Sequence, residues 1–407
     1  MANESKAHMT FTSAQGNPFW EWDNTDKLHM TFLMQLDHKV DGDKLLESMR
    51  ETYEVWPLLK DAFIEDSEGM LSFVENDKPL QVFNSPALVA PGAGMNADRL
   101  AAVTYYEDKL GITGMHSFFD GGSVQLIMSD MLSRYFKKYY GSDLDTGFEP
   151  LSPGAGDKPE YATFYAFNKD ILSRPFEYRD PIDIPQEVFK DLGMDYGPNL
   201  ALSFYVIEMP SDEFIAYCKK HGASPSIMMY ALFAQTVKNL HPENELPITA
   251  NNTMNIRRAL GLDLSLSGQT MGNLLVATKE DMDLSLSELC QKVRESFNKQ
   301  RELDFMLSRA RDMANQIPSL DFKLTGSLQY MGRQSFGEAT KHLLHYGVYE
   351  DMQSNVLGFE LNGVFSIELM LGTVGKKYAD EMCAILNAAG VNAKIAEHTE
   401  ALPSEIR

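Results

Sequence analysis

Apolar and polar residues alternate early in the chain and then give way to a helical period. Every second residue from Met30 to Leu36 is apolar, which is the period of a half-buried strand. After the turn at Asp41-Gly42, apolar side chains recur every four residues at Leu45, Met49 and Tyr53. That spacing predicts an amphipathic helix, which the Trp56-Pro57 step must end.

A second strand and helix are predicted around a glycine-rich loop. Leu110 to Met115 reads as a strand running into the loop, and Ser123 is then expected to cap a helix. Ile127, Met131 and Tyr135 form the apolar stripe of that helix, and Gly141 closes it. The first part of the chain is therefore predicted to begin as strands followed by helices.

The stretch from Gly141 to about Pro198 is rich in Pro, Gly, Asp and Tyr and has no sustained period. Such a composition is typical of a connection. With 407 residues, the chain is also too long for one comfortable core. We therefore predict an N-terminal unit at 1–170, a connecting segment at 171–198 and a C-terminal unit at 199–407.

The second half again mixes strands with helices. The predicted elements are a strand at Leu200 to Glu208, a helix from a Ser211 cap to Gly222, a buried helix at Ile227 to Leu240 behind Ser224-Pro225, a helix with a capping box at Ser285 and Glu288, a hairpin of Val356 to Leu361 and Val364 to Leu371 around Asn362-Gly363, a helix to Gly390 and a strand at Val391 to Ala396. The predicted fold class is α/β, as two α+β two-layer sandwiches packed side by side.

The charge of the chain limits its partners. With 36 basic and 58 acidic residues the formal charge is -22, so its long-range field repels nucleic acid and anionic lipid. The same field counts against coenzyme A or an acidic carrier protein unless a local basic patch overrides it. No apolar run is long enough to span a membrane, and the N-terminus does not resemble a signal peptide, so a cytoplasmic protein without a membrane span is expected.

The cysteines are too few and too far apart for a disulfide framework or a zinc site. The three of them, Cys218, Cys290 and Cys383, are expected to fill the core. We expect neither a metal nor a bound cofactor.

The glycine-rich loop carries the chemistry of interest. In Gly114-Met-His-Ser-Phe-Phe-Asp-Gly-Gly-Ser123, His116 follows a strand and Asp120 lies four residues later, before two glycines. Histidine titrates near physiological pH, so a positioned imidazole can take a proton from an alcohol or amine and return it to a leaving group. His116 is therefore the candidate general base, and the other histidines, including His29, His38, His342 and His345, are expected to be hydrogen-bonded structural residues.

The chain resembles the superfamily of chloramphenicol acetyltransferases, plant acyltransferases, alcohol acetyltransferases and condensation domains of peptide synthesis. Its hallmark, His-x-x-x-Asp-Gly, is similar to His116 to Gly121, and the likeness continues to Ser123. Val40-Asp-Gly, Gly222-Ala-Ser-Pro, Met254-Asn-Ile-Arg-Arg and Met271-Gly-Asn-Leu resemble further recurrent stretches in the same order. The resemblance implies two chloramphenicol acetyltransferase-like subdomains with the active site at their interface.

The resemblance also implies roles for individual residues. Asp120 and Gly121 would support the loop, with Asp120 paired to Arg257, although Arg258 competes for that pairing. Backbone N–H groups of Gly121 and Gly122, Ser123, or a hydroxyl of the second half would stabilise an oxyanion. Met115 stands where peptide-forming condensation domains carry a second histidine, and the plant signature Asp-Phe-Gly-Trp-Gly is absent between Phe322 and Gly375, so an acetyltransferase-like member is favoured.

The expected reaction transfers an acyl group from a thioester, with acyl-CoA as co-substrate, to a small alcohol or amine, without a covalent acyl-enzyme. One alternative is a stand-alone condensation enzyme whose donor is bound to an acyl or peptidyl carrier protein. Another is a non-catalytic binding module on the same fold, because fold alone does not determine function.

Overall fold

The structure, a computed structural model, describes residues 7–12, 29–65, 70–92, 94–116, 118–156, 173, 175–183, 185–190, 203–260, 262–266, 270–314, 324–350 and 355–399. Much of the predicted connecting segment 171–198, including 191–198, lies outside these ranges. The proposed limits of the two units therefore stay a prediction.

The described ranges contain nine α-helices, two of which are four residues long. They are α1 (Gly42–Val55), α2 (Gly121–Tyr140), α3 (Ser211–Lys220), α4 (Pro225–Leu240), α5 (Arg257–Leu260), α6 (Lys279–Met282), α7 (Leu286–Gln300), α8 (Leu303–Ala314) and α9 (Gly375–Ala388), with short 3-10 turns at Pro57–Lys60, Gly94–Asn96 and Gly337–His342.

The strands form three sheets within the described ranges. They are β1 (Ala7–Thr12), β2 (His29–Leu36), β3 (Ala62–Glu65), β4 (Met70–Val74), β5 (Phe83–Asn84), β6 (Ala101–Tyr106), β7 (Lys109–Met115), β8 (Ser203–Pro210), β9 (Ile248–Asn255), β10 (Thr270–Ala277), β11 (Gly326–Arg333), β12 (Leu343–Glu350), β13 (Asn355–Leu361), β14 (Val364–Leu371) and β15 (Lys394–Thr399). Their orders are β1-β4-β3, β12-β2-β7-β6-β5 and β10-β9-β11-β13-β14-β8-β15. The last two, hereafter the first and second sheets, carry the two units.

Local signals correctly predicted several element ends. Ser224 accepts a hydrogen bond from Ile227 N at the start of α4, and Ser285 and Glu288 form the expected capping box of α7. Asn362 and Gly363 both have positive φ, 50° and 80°, as a two-residue hairpin turn of type I′ requires. Gly141 ends α2 as predicted.

Other ends differ from the prediction. Helix α3 has Pro210 as its N-cap with no side-chain cap, because β8 extends to Pro210 and the Ser211 amide donates to the Gly363 carbonyl. The last strand begins at Lys394 rather than at Val391. Helix α2 is capped by Asp120 rather than by Ser123, for a reason that belongs to the site described below.

Two large apolar cores are present among the described residues, besides a small cluster of Ile256, Met306 and Leu307. One lies between the second sheet and the helices α3, α4, α7 and α9, and α4 is buried almost all round, as its sequence predicts. The other combines α1, α2 and the first sheet with side chains from the opposite face of the second sheet, such as Phe204, Leu357, Phe359 and Met370. The two units therefore share a core along their interface.

Strand β12 crosses between the units. The chain leaves β11 in the second sheet, pairs antiparallel with β2 at the edge of the first sheet, and returns as β13. This segment belongs to the predicted unit 199–407 by sequence, yet it completes the sheet of the other unit. The two units are thus joined by the backbone hydrogen bonds of β12 with β2 as well as by packing.

The described residues show three further features. Cys218, Cys290 and Cys383 are free and buried, as expected of core fillers. Among the described ranges, no helix is both long and apolar enough to cross a bilayer. Within the same ranges, no group of three or more His, Cys, Asp or Glu side chains is arranged to hold a metal ion.

Candidate active site at the interface of the two units

His116 lies in the turn between β7 and α2. Its Nδ1 is 2.9 Å from the carbonyl oxygen of Phe119. A carbonyl only accepts, so in the neutral ring Nδ1 carries the hydrogen and Nε2 keeps its lone pair. The ring is partly exposed, and the loop therefore holds the imidazole in the tautomer that a general base needs, with Nε2 on the side away from its anchor.

Asp120 fixes the start of α2. Its Oδ1 accepts from the Ser123 amide at 2.8 Å, and the Ser123 hydroxyl is 3.2 Å from the Asp120 amide. This is a capping box in which Asp120 is the N-cap and Ser123 the third helical residue. The prediction that Ser123 caps the helix is wrong because the helix starts one turn earlier, at the aspartate of the motif.

Asp120 also forms a buried two-point ion pair with Arg257. Arg257 Nη1 is 3.0 Å from Oδ2 and Nη2 is 2.8 Å from Oδ1, and both residues are almost fully buried, at 2% and 4% exposure. Arg257 comes from the second unit, directly after β9. Of the two candidate arginines, Arg257 makes the pair, whereas the side chain of Arg258 is exposed.

The arginine is held by more than its carboxylate partner. Nε donates to the Ser265 carbonyl at 2.6 Å and Nη2 to the Ser123 hydroxyl at 2.7 Å, so four of its N–H groups are bonded. The Ser123 hydroxyl also lies 2.7 Å from the Leu266 carbonyl. Sequence reasoning missed Ser265 and Leu266 because they act through backbone carbonyls, which every residue carries.

The two candidate oxyanion donors are placed differently. The Ser123 amide and hydroxyl are both committed to the network around Asp120, and the side chain is fully buried, so its geometry opposes the predicted role. Gly121 and Gly122 are the first two residues of α2, whose amides have no acceptor within the helix. Gly122 is therefore the better placed of the two candidates.

The glycines of the motif sit where the units meet. A Cβ on Gly122 would lie 2.7 Å from Arg257 Nη1 and 2.8 Å from Asn255 Nδ2, and a Cβ on Gly121 would lie 3.1 Å from Met331 Cε. The second glycine of the motif is thus required by the approach of the buried arginine. Asn255, missed by the sequence analysis, also accepts from the Arg257 amide at 3.0 Å.

Two further histidines, His38 and His342, lie near the C-terminal end of α2. This helix has 20 residues, so they are about 30 Å from its start. Asp37 accepts from Nδ1 of His38 at 2.8 Å, from Nδ1 of His342 at 2.7 Å and from the Tyr140 hydroxyl at 2.6 Å. Burial opposes ionisation of Asp37, but these three hydrogen bonds outweigh it and hold the pKa of that carboxyl well below its ordinary value. His38 and His342 are hydrogen-bonded, as predicted for histidines outside the motif.

Comparison with known proteins shows the fold. No family model and no curated protein sequence matches the chain. Among solved structures, polyketide synthase associated protein 5 from Mycobacterium tuberculosis aligns over 94% of this chain and 97% of its own, with a TM-score of 0.63 and 12% identity. The first condensation domain of the calcium-dependent antibiotic synthetase aligns over 96% and 100%, with a TM-score of 0.63 and 13% identity.

The chain has the fold of a condensation domain. A more distant structure is the teicoplanin X-domain in its complex with OxyB, which aligns over 89% of this chain and 88% of its own, with a TM-score of 0.50 and 12% identity. These alignments confirm the predicted fold class of two chloramphenicol acetyltransferase-like subdomains. At 12–13% identity, these structural likenesses show the fold alone.

Proposed function

We propose that this condensation-domain fold is an acyltransferase in which His116 is the general base. The observation that carries the proposal is the hydrogen bond from His116 Nδ1 to the Phe119 carbonyl, since it leaves Nε2 basic. The buried Asp120–Arg257 pair supports it, because this pair fixes the loop between the two units at the point where substrates from either side would meet.

In the proposed reaction, an acceptor hydroxyl or amine gives its proton to His116 Nε2 while its electron pair attacks the carbonyl carbon of a thioester. The backbone N–H of Gly122 is the proposed donor to the tetrahedral oxyanion. Collapse of the intermediate breaks the carbon–sulfur bond, and the imidazolium returns the proton to the leaving thiolate. No covalent acyl-enzyme is involved, and the products are the acylated acceptor and a free thiol.

The thioester donor in this proposal is either acyl-CoA or an acyl group bound to a carrier protein. Acyl-CoA is favoured by Met115, which replaces the second histidine of peptide-forming domains. A carrier-bound donor is favoured by the likeness to a condensation domain of an antibiotic synthetase. The same acyl group presented on coenzyme A and on a carrier domain discriminates between the two through the ratio of their kcat/KM values.

A non-catalytic role is the second candidate function. It is favoured by the likeness to an X-domain whose structure contains a bound partner protein, OxyB. This role would be supported, and acyl transfer contradicted, if the chain binds a partner with an affinity that His116→Ala does not change and forms no product from any thioester.

The decisive experiment is thiol release from a panel of coenzyme A and carrier-bound thioesters with mixed alcohol and amine acceptors. We expect acceptor-dependent release that His116→Ala reduces by about 10²- to 10⁴-fold, the usual contribution of a general base. His221→Ala is the matched control, since His221 is bonded only to the Ser287 hydroxyl through Nδ1 among the described side chains. Equal rates for the natural protein and His116→Ala would refute the mechanism.

A further inference from the structure

A polar cavity of about 270 Å³ adjoins the site between the two units. On one side α2 contributes Gly122, Gln125, Leu126 and Ser129, which recur at helical spacing along one stripe. On the other side it is lined by residues of the second unit that follow or end β9: Asn255, Arg257, Arg258 and Asp263. Its position between units is typical of a small-molecule site, and Gly122 and Arg257 connect it to the motif loop.

Arg258 supplies the positive charge of this cavity. Its neighbour Arg257 donates four of its five side-chain N–H groups to Asp120, Ser123 and Ser265. At most one N–H group of Arg257 therefore remains for a ligand. Arg258 is exposed, and no hydrogen bond or ion pair links its guanidinium to another residue of the described ranges. In a chain of formal charge -22, this guanidinium lies at a cavity wall with no carboxylate partner among the described residues.

Asp263 supplies the opposite charge. It is exposed and lines the same cavity, yet it forms no ion pair with Arg258 among the described contacts. A guanidinium and a carboxylate that face one cavity without pairing present a positive and a negative end to a ligand. Gln125, Asn255 and Ser129 add polar side chains to the lining; Gln125 Nε2 already donates to Gln334 and Asn255 Oδ1 already accepts from the Arg257 amide.

We infer that this cavity binds the acceptor of the acyl transfer, and that the acceptor is a small monocarboxylic acid bearing a hydroxyl or amino group. Its carboxylate pairs with Arg258, the residue type best suited to two-point binding of carboxylates. Asp263 lines the same cavity and disfavours a second carboxylate on the ligand. This inference rests on the proposed acyl transfer, and a cavity of about 270 Å³ has room for a ligand of roughly the size of an amino acid.

The experiment measures binding apart from turnover. Thermal shift titrations use the full chain carrying His116→Ala, with a panel of free amino acids and hydroxy acids, their methyl esters, matching dicarboxylic acids, inorganic phosphate and coenzyme A. We expect saturable stabilisation by one or more monocarboxylic acids that is weakened at least about ten-fold in Kd by Arg258→Gln. The matched control is Arg50→Gln, an exposed arginine of α1, which should leave the Kd unchanged. Asp263→Asn should reduce the discrimination against dicarboxylic acids.

Turnover with the His116 form then separates the two proposals. Acid-dependent thiol release whose KM rises about ten-fold or more in Arg258→Gln, with kcat changed less, supports the inference. If neutral acceptors are turned over and the Kd for acids is unchanged by Arg258→Gln, the inference is overturned, while the proposed acyl transfer is supported. Arg258-dependent binding of acids without turnover of any thioester supports the acid site and overturns the proposed function. Arg258-dependent binding of phosphate or coenzyme A alone overturns the carboxylate assignment.

Discussion

The Asp120–Arg257 pair should be the most strongly coupled polar contact of the site. Arg257→Met removes four described hydrogen bonds, two of which bind the carboxylate of Asp120, a residue that is only 4% exposed. Breaking a buried ion pair from one side costs about 3–5 kcal/mol. Asp120→Asn keeps the helix cap, since Asn and Asp cap equally well, yet strands the arginine charge, so we expect a cost in the same range.

A double-mutant cycle converts this into a sharp test. If the two residues acted independently, the double variant would lose about 6–10 kcal/mol; because they stabilise each other, we expect a coupling energy of at least about 2 kcal/mol. Urea unfolding at neutral pH, followed by fluorescence of the three tryptophans and by circular dichroism, gives the four free energies. Arg258→Gln is the control and should change stability by under about 0.5 kcal/mol.

Two results would refute the reasoning about this pair. The first is additivity of the single substitutions within about 0.5 kcal/mol, since that would mean that the guanidinium and carboxylate do not interact in solution. The second is a loss below about 1 kcal/mol for Arg257→Met, because a buried carboxylate that loses its partner cannot be that well tolerated.

Two further predictions concern the ends of α2. Gly122→Ala places a Cβ 2.7 Å from Arg257 Nη1, so we expect a loss of about 1–3 kcal/mol and reduced turnover, whereas Gly94→Ala, with nothing within 4 Å, should be neutral in urea unfolding. Asp37→Asn removes a carboxyl whose pKa is lowered in the folded state; its stabilisation is present above about pH 4 and is lost as pH falls further. The gap between the unfolding midpoints of the two forms should therefore be full near neutral pH and shrink progressively below about pH 4, as the pH falls toward the lowered pKa of Asp37, and a gap independent of pH would contradict this assignment.

Local rules predicted much of the chain because their physical causes are local. The Asn362-Gly363 hairpin depends on two residues that tolerate positive φ, and Ser285 with Glu288 satisfies amides within one turn. Ser211 is not the N-cap of α3, because β8 extends to Pro210 and the Ser211 amide donates to the carbonyl of Gly363, in the turn between β13 and β14. That partner is 152 residues away in sequence, and no local pattern encodes it.

The site was predictable only in part for the same reason. The motif pointed to His116 and Asp120, and the resemblance implied Arg257 as the partner of Asp120, a pairing that is present. The carbonyls of Ser265 and Leu266 and the amide of Asn255 complete the network, but neither carbonyl has a side-chain signature. The pattern of β12 is compatible with a strand, yet only the assembled units decide which sheet it joins.

Glu368 explains how the crossing strand β12 is held against the second sheet. Its side chain is fully buried, and Oε2 accepts from the Val348 amide of β12 at 3.2 Å. The close approach depends on Gly347, where a Cβ would lie 3.1 Å from Glu368 Oε1. Burial, with the Glu368 charge adding to it, also raises the pKa of Tyr346 on the same strand well above its ordinary value. A buried carboxylate thus satisfies the backbone of a strand that has left its own unit.

Glu368→Ala should therefore loosen β12 before it unfolds the protein. Losing the acceptor of a buried amide costs about 1–3 kcal/mol, so hydrogen exchange of the Val348 amide should accelerate by roughly ten-fold or more, since 1.4 kcal/mol corresponds to ten-fold. Exchange of the 343–350 segment by mass spectrometry measures this, with Glu208→Ala as the control, since Glu208 lies on the neighbouring strand β8 and its described ion pair is with Lys394. If both variants exchange like the natural protein, β12 is held by pairing with β2 alone, and the carboxylate has no part in joining the units.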